Sequence, residues 1–355
     1  MRRGLMRWDE DELPKGVLLE RRTRLQAAMR HDRLDGLLIY TNLVRPSAVC
    51  WITGFTPYWI DSLLLVPQNG FPILATALSK RVADWVRSTS NLDEIINTPR
   101  PGSAIGARLA ASGASRIGVL EIDALPSGLY DDLVSGAPAV ELSDASDTFA
   151  SCRRPIDGVE RKLIERADAL ACAALDQPWL ADAEDAGELA GAVEKHARLN
   201  AAEEAYIAVA PDLDSDRRLI RVTQGVPLGR RFAVRASIAY KGSWVRCTRT
   251  FARDSLGASA IARGDAWLRQ FVSSLPADEP LNAVLAGALA SLPGAELASW
   301  RAETSLGSYP LEVVASSGSA ARYLLPAGAF AVLTVQLTIE GIPWLGAMTA
   351  FIAGQ

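Results

Sequence analysis

Ser151-Cys152-Arg153-Arg154-Pro155 separates two stretches of chain whose apolar residues recur with different periods, and no single layered domain accommodates both. Upstream of the break, short amphipathic helices alternate with short apolar runs. Leu25 and Met29 mark one face of a helix from Arg21 to Arg30, and Leu37-Leu38-Ile39-Tyr40 and Ser62 to Val66 read as strands. Gly70-Phe71-Pro72 turns the chain into Ile73-Leu74-Ala75; helices near Ser79 to Arg87 and Ile105 to Ala111, and strands at Arg116 to Glu121 and Ala139 to Leu142, continue the alternation. This pattern predicts an α/β domain over residues 1–154. Downstream, Val159, Leu163, Ile164, Ala167, Leu170, Ala171 and Ala174 fall at helical spacing, and a second helix is expected from Glu188 to Arg198. Strand-like runs then dominate: Tyr206–Val209, Phe232–Tyr240, Trp244–Phe251, Leu311–Ala315, Phe330–Leu337 and Trp344–Ile352. Helices near Ser259 to Phe271 and Leu281 to Leu292 interrupt them. Helices gathered in blocks predict an α+β domain over residues 155–355.

Composition supports two ordinary cores and removes several function classes. The chain has 355 residues, 49% of them hydrophobic, and a formal net charge of −4. A near-neutral total argues against a general nucleic-acid binder. No stretch reaches the ~18–20 uncharged apolar residues of a membrane span, and the mixed-charge start lacks the apolar run of a signal peptide. The expectation is a cytoplasmic protein without nucleic-acid or membrane partners. Cys50, Cys152, Cys172 and Cys247 are scattered, as expected of free thiols in a reducing compartment. Histidine occurs twice, at His31 and His196.

Gly36-Leu37-Leu38-Ile39, Ile52-Thr53-Gly54-Phe55, Arg116-Ile117-Gly118-Val119, Ala239-Tyr240-Lys241-Gly242 and Thr248-Arg249-Thr250-Phe251 stand in a suggestive order. Together they resemble the creatinase, prolidase and aminopeptidase P family over about residues 20–355. The resemblance implies an α/β N-terminal domain followed by a C-terminal pita-bread domain, in a homodimer whose N-terminal domain caps the partner's cavity.

Metal-dependent members of that family hold two divalent ions with two Asp, one His and two Glu, hard donors that lower the pKa of a bridging water. By the resemblance, those positions fall here on Arg235, Arg246, the vicinity of Gly307, Thr334 or Gln336, and the vicinity of Ala347; a further histidine position falls on Val314. Residues 217–253 contain nine arginines and Lys241 but no carboxylate, and beyond Ser305 the carboxylates are Glu312 and Glu340. Two cations ~4 Å apart repel by about 4 kcal/mol at an effective dielectric near 20, so no metal site is expected; no other cofactor is expected either. The metal-free creatinase chemistry needs a histidine within Asp216 to Val222, where this chain has none.

Guanidinium is planar, charged at neutral pH and fits carboxylate or phosphate bidentately. The leading expectation is therefore a cavity for a small anionic molecule, with Arg235, Arg246, Glu312 and Tyr240 as candidate catalytic residues. Arg249, Phe55, Tyr58, Trp59, Tyr309 and Gln336 are candidate substrate contacts. If active, such a protein would be a metal-independent hydrolase or lyase. The alternative is a pseudoenzyme, a binding or scaffold protein whose arginines are salt-bridged internally to Glu312 or Glu303. Conventional metallopeptidase activity ranks last.

Overall fold

The computed structural model describes residues 8–57, 60–319 and 324–353. It divides into two compact units: Arg2–Arg153 with Ser305–Pro310, and Arg154–Thr304 with Leu311–Gln355.

The first unit is a six-stranded mixed sheet flanked by helices. Its strands are β1 (Gly36–Thr41), β2 (Ser62–Pro67), β3 (Ile73–Thr76), β4 (Glu94–Asn97), β5 (Arg116–Leu120) and β6 (Glu141–Asp144), in the order β4-β3-β2-β1-β5-β6. The antiparallel β1–β2 pair lies inside a sheet whose β1–β5 and β5–β6 pairs are parallel. Every residue of β1 is buried, which is why it reads as a continuous apolar run rather than an alternating one. Two apolar clusters cover the sheet's faces, one around Leu37, Ile39 and Phe149 and the other around Leu38, Ile105 and Leu133.

The second unit is built on a seven-stranded sheet. It contains β7 (Glu204–Ala210), β8 (Arg231–Tyr240), β9 (Ser243–Ala252), β10 (Ala295–Thr304), β11 (Glu312–Ser316), β12 (Phe330–Ile339) and β13 (Ile342–Phe351), in the order β11-β10-β12-β13-β9-β8-β7. Two hairpins set its register. Lys241-Gly242 has φ values of 44° and 79°, and Glu340-Gly341 has 52° and 81°; two successive positive-φ residues make the tight turn whose twist matches the strands it joins. Strand β10 does not appear among the expected strands, because Ala295-Glu-Leu-Ala-Ser299 is made of helix-forming residues that sheet pairing with β12 overrides.

One face of this sheet is covered by helices. Asp157 caps the helix Gly158–Leu175 by accepting from the Val159 and Glu160 amides at 3.1 and 2.8 Å, and the helix buries its Leu163–Ala174 stripe. The helix Ser255–Ser273 lies on β13 through Gly264, where a Cβ would stand 2.8 Å from the buried Trp344 ring. Gly264→Ala should therefore cost about 1–3 kcal/mol by overpacking, read as a lower denaturation midpoint with an unchanged slope. Among the described residues no helix is long and apolar enough to cross a membrane.

Candidate functional site: an arginine-lined cavity

Strand alternation decides which side chains share the face opposite those helices. Cross-strand pairing runs Arg301–Thr334, Thr334–Ala347, Ala347–Thr248 and Thr248–Arg235, so one row crosses β10, β12, β13, β9 and β8. One pleat away on the same face stand Arg246, Glu303 and Gln336. A cavity of about 480 Å³ opens there, lined by Arg217, Arg218, Arg235 and Arg301, one carboxylate, Asp216, and the polar Ser299, Thr334 and Gln336, with an apolar wall of Leu219, Ile220, Trp300 and Leu345.

The charges do not cancel. Glu303 is 3% exposed and serves two guanidiniums, hydrogen-bonding Arg246 and lying 3.3 Å from Arg301 Nε. Arg218 is paired with Asp216 at 2.7 Å. Arg217 donates to Thr338 Oγ1 at 2.9 Å and to the Leu337 carbonyl at 3.5 Å. Among the described residues neither Arg217 nor Arg235 has a carboxylate within ion-pair distance. Burial, followed by the charges of Arg246 and Arg301, pushes the Arg235 guanidinium down to about 10, with Glu303 opposing. Arg235 Nε, Thr248 Oγ1 and Thr334 Oγ1 are buried without a hydrogen-bond partner, and all three lie on the single cross-sheet row. Native proteins leave few such atoms unpaired.

This donor set does not fit a divalent cation. The positions that the resemblance assigns to metal ligands carry guanidinium, hydroxyl, amide and methyl groups, and the buried acid beside them is held by two arginines. Among the described residues no group of three His, Cys, Asp or Glu side chains is arranged to hold a metal.

The expected site residues do not all converge. Arg235 and Gln336 line the cavity, while Arg246 shares its face and is engaged by Glu303. Arg249 does not join them: it projects through the opposite face, where its Nε is 3.6 Å from Asp176. Tyr240 has the same wrong parity on β8 and packs with the helix-side core, under the Arg166 guanidinium at 5.8 Å. Phe55 is 1% exposed in the first unit's core, edge-on to Trp85. Tyr309 belongs to the first unit, where Arg45 stacks on its ring at 4.3 Å and donates to its hydroxyl at 3.0 Å. Glu312 pairs with Thr304 on the edge strand β11, outside the cavity lining. Tyr58 and Trp59 lie outside the described residues. Sequence reasoning missed Arg217 and Arg301 as cavity residues. The first was visible as part of the arginine run, whereas the second needed β10 to be recognised as a strand.

Residues 21–154 match the family model for the creatinase/prolidase N-terminal domain. A comparison with curated proteins finds no match. Among solved structures, the prolidase of Pyrococcus horikoshii OT3 is similar at 17% identity and a TM-score of 0.70, over 94% of this chain and 95% of that one. The X-Pro aminopeptidase of Thermotoga maritima MSB8 gives 13% and 0.71, over 93% and 96%. The N-terminal domain of the FACT complex subunit SPT16 from Cicer arietinum (chickpea) gives 14% and 0.66, over 95% and 94%. Residues 21–154 thus match the creatinase/prolidase N-terminal domain, and the chain as a whole shares the pita-bread fold of the prolidase and X-Pro aminopeptidase structures.

Proposed function

We propose that this protein binds a small organic dianion, a dicarboxylate or phosphate monoester, in the arginine-lined cavity, without a metal ion. The observation that carries the reading is the row of partnerless buried atoms, Arg235 Nε, Thr248 Oγ1 and Thr334 Oγ1, beside the Arg217 and Arg235 guanidiniums, which have no carboxylate within ion-pair distance among the described residues. Unpaired buried charge is costly, and an anion seated on Arg217 and Arg235 supplies the missing partner. Trp300 and Leu345 offer its carbon skeleton an apolar wall. Any turnover at this site draws its electrostatic stabilisation from guanidinium groups. A homodimer in the cytoplasm is part of the reading on family resemblance alone.

The rival reading, a scaffold with no ligand, is favoured by the Arg246–Glu303–Arg301 cluster, which neutralises part of the cavity wall internally. A thermal-shift screen of dicarboxylates, phosphate monoesters and their monoanionic analogues separates the two. A ligand present at 100 times its Kd stabilises by about 2.7 kcal/mol, and dianions should outperform monoanions. The shift should stay level for a strong-acid dianion from pH 6 to 9 and fall above about pH 10, as Arg235 loses its proton. An ordinary arginine would hold its charge through that range. A flat response to every anion supports the scaffold.

A further inference from the structure

On the helix-covered side of the same sheet, Cys172 and Cys247 face each other with Sγ atoms 3.6 Å apart. Cys172 sits in the last turn of the helix Gly158–Leu175 and is half-buried, whereas Cys247 lies inside β9 and is fully buried. Neither is disulfide-bonded. A disulfide has an S–S length of ~2.05 Å, so closing the gap is a shift of roughly 1.5 Å, on the scale of a side-chain rotation.

The surroundings suit exchange chemistry. Oδ2 of Asp168 lies 3.8 Å from Cys172 Sγ, and its Oδ1 accepts from Thr349 Oγ1 at 2.7 Å. Nη2 of Arg249 is 4.0 Å from the same sulfur, and its Nε is 3.6 Å from Asp176. Cys172 therefore has both a carboxylate able to take its proton and a guanidinium able to face its thiolate. Burial holds the Asp168 carboxyl above the usual range, which favours its role as a proton acceptor.

The structure assigns Cys172 and Cys247 as a thiol–disulfide exchange site, with Cys172 as the attacking sulfur, Cys247 as the resolving one and a low-molecular-weight disulfide as co-reactant. The Cys172 thiolate attacks one sulfur of the disulfide RSSR, forming a mixed disulfide and releasing one RS⁻. The Cys247 sulfur, giving up its proton, then attacks Cys172, forming the intrachain disulfide and releasing the second RS⁻. In balance, two protein thiols and RSSR become one protein disulfide and two RSH. The assignment is independent of the anion site, since neither sulfur lies on the cavity face. The other two cysteines, Cys50 and Cys152, are buried in the first unit, and Cys152 Sγ instead approaches the Arg24 carbonyl at 4.0 Å.

The test is incubation of the folded full chain with oxidised glutathione, followed by alkylation under denaturing conditions, intact mass measurement and peptide mapping. The expected product has lost two hydrogens, carries a Cys172–Cys247 link and regains free thiols with dithiothreitol. Cys247→Ser should trap one glutathionyl group on Cys172, and Cys172→Ser should leave Cys247 unmodified. A wild-type protein that stays fully reduced, stops at a mixed disulfide on Cys172, or is modified first at Cys50 or Cys152 overturns the assignment. Because the wild-type map alone distinguishes these results, a variant that fails to fold does not shelter it.

Discussion

Replacing Arg235 by Met is expected to stabilise the free protein and, in the same experiment, to erase its response to anions. Removing the guanidinium relieves its repulsion with Arg246 and Arg301 and its desolvation, the effects that depress its proton affinity. Replacing buried charged groups by apolar side chains of similar volume is often neutral or stabilising by about 1–4 kcal/mol, and for the partly buried Arg235 the lower end, about 1 kcal/mol, applies. Hydrogen bonds to charged groups contribute about 1.5–3 kcal/mol, so losing them weakens anion binding by about 10–100-fold. The two effects have opposite sign, and general structural damage cannot produce both. Titration calorimetry with the best dianion from the screen, beside chemical denaturation, reads them together. A variant that binds as tightly as the wild type would remove Arg235 from the site. One that is less stable than the wild type would mean that its charge is already compensated.

Glu303→Gln should destabilise the protein strongly although it is near-isosteric. The substitution keeps the shape of the side chain but removes the one negative charge shared by Arg246 and Arg301, leaving three guanidiniums around a buried amide. Breaking a buried ion pair from one side costs about 3–5 kcal/mol. With the side chains of Arg246 and Arg301 at 24% and 36% exposure, the lower end applies. Chemical denaturation measures it, and Arg246→Met in the same chain should recover much of the loss by removing a stranded cation. Added sulfate should raise the Tm of Glu303→Gln more than that of the wild type, because the cavity gains one unit of positive charge. If the single variant matches wild-type stability, the arginines do not depend on Glu303.

The fold was legible because its signals are local. The alternating apolar runs of the first unit and the Val159–Ala174 helical stripe of the second each act within a few residues. The candidate site was half legible. Arg235 is placed by its distance from the Thr248-Arg249-Thr250 run, which fixes register across one hairpin, whereas Gln336, on another hairpin, is reached only as one of two register choices beside Thr334. Arg249 and Tyr240 enter the candidate set by motif membership, although the period of two along a strand already puts them on the other face from Arg235 and Arg246. Phe55 carried no local mark of its core position. The partner of Arg246 was left open between Glu303 and Glu312, and choosing between them required knowing that β10 lies beside β12 and presents Glu303 toward the arginines.

The sequence by itself determined that the β8–β9 hairpin brings no carboxylate to the sheet, since residues 217–253 hold nine arginines and no acid, and that fact survives any error in alignment. Only the tertiary structure decided which of those arginines share a cavity, which is neutralised and which is left unmatched. Charge type is a property of each residue alone. Compensation depends on groups dozens of residues apart, such as Arg246 and Glu303, being brought within bonding distance by a strand whose own residues favour a helix.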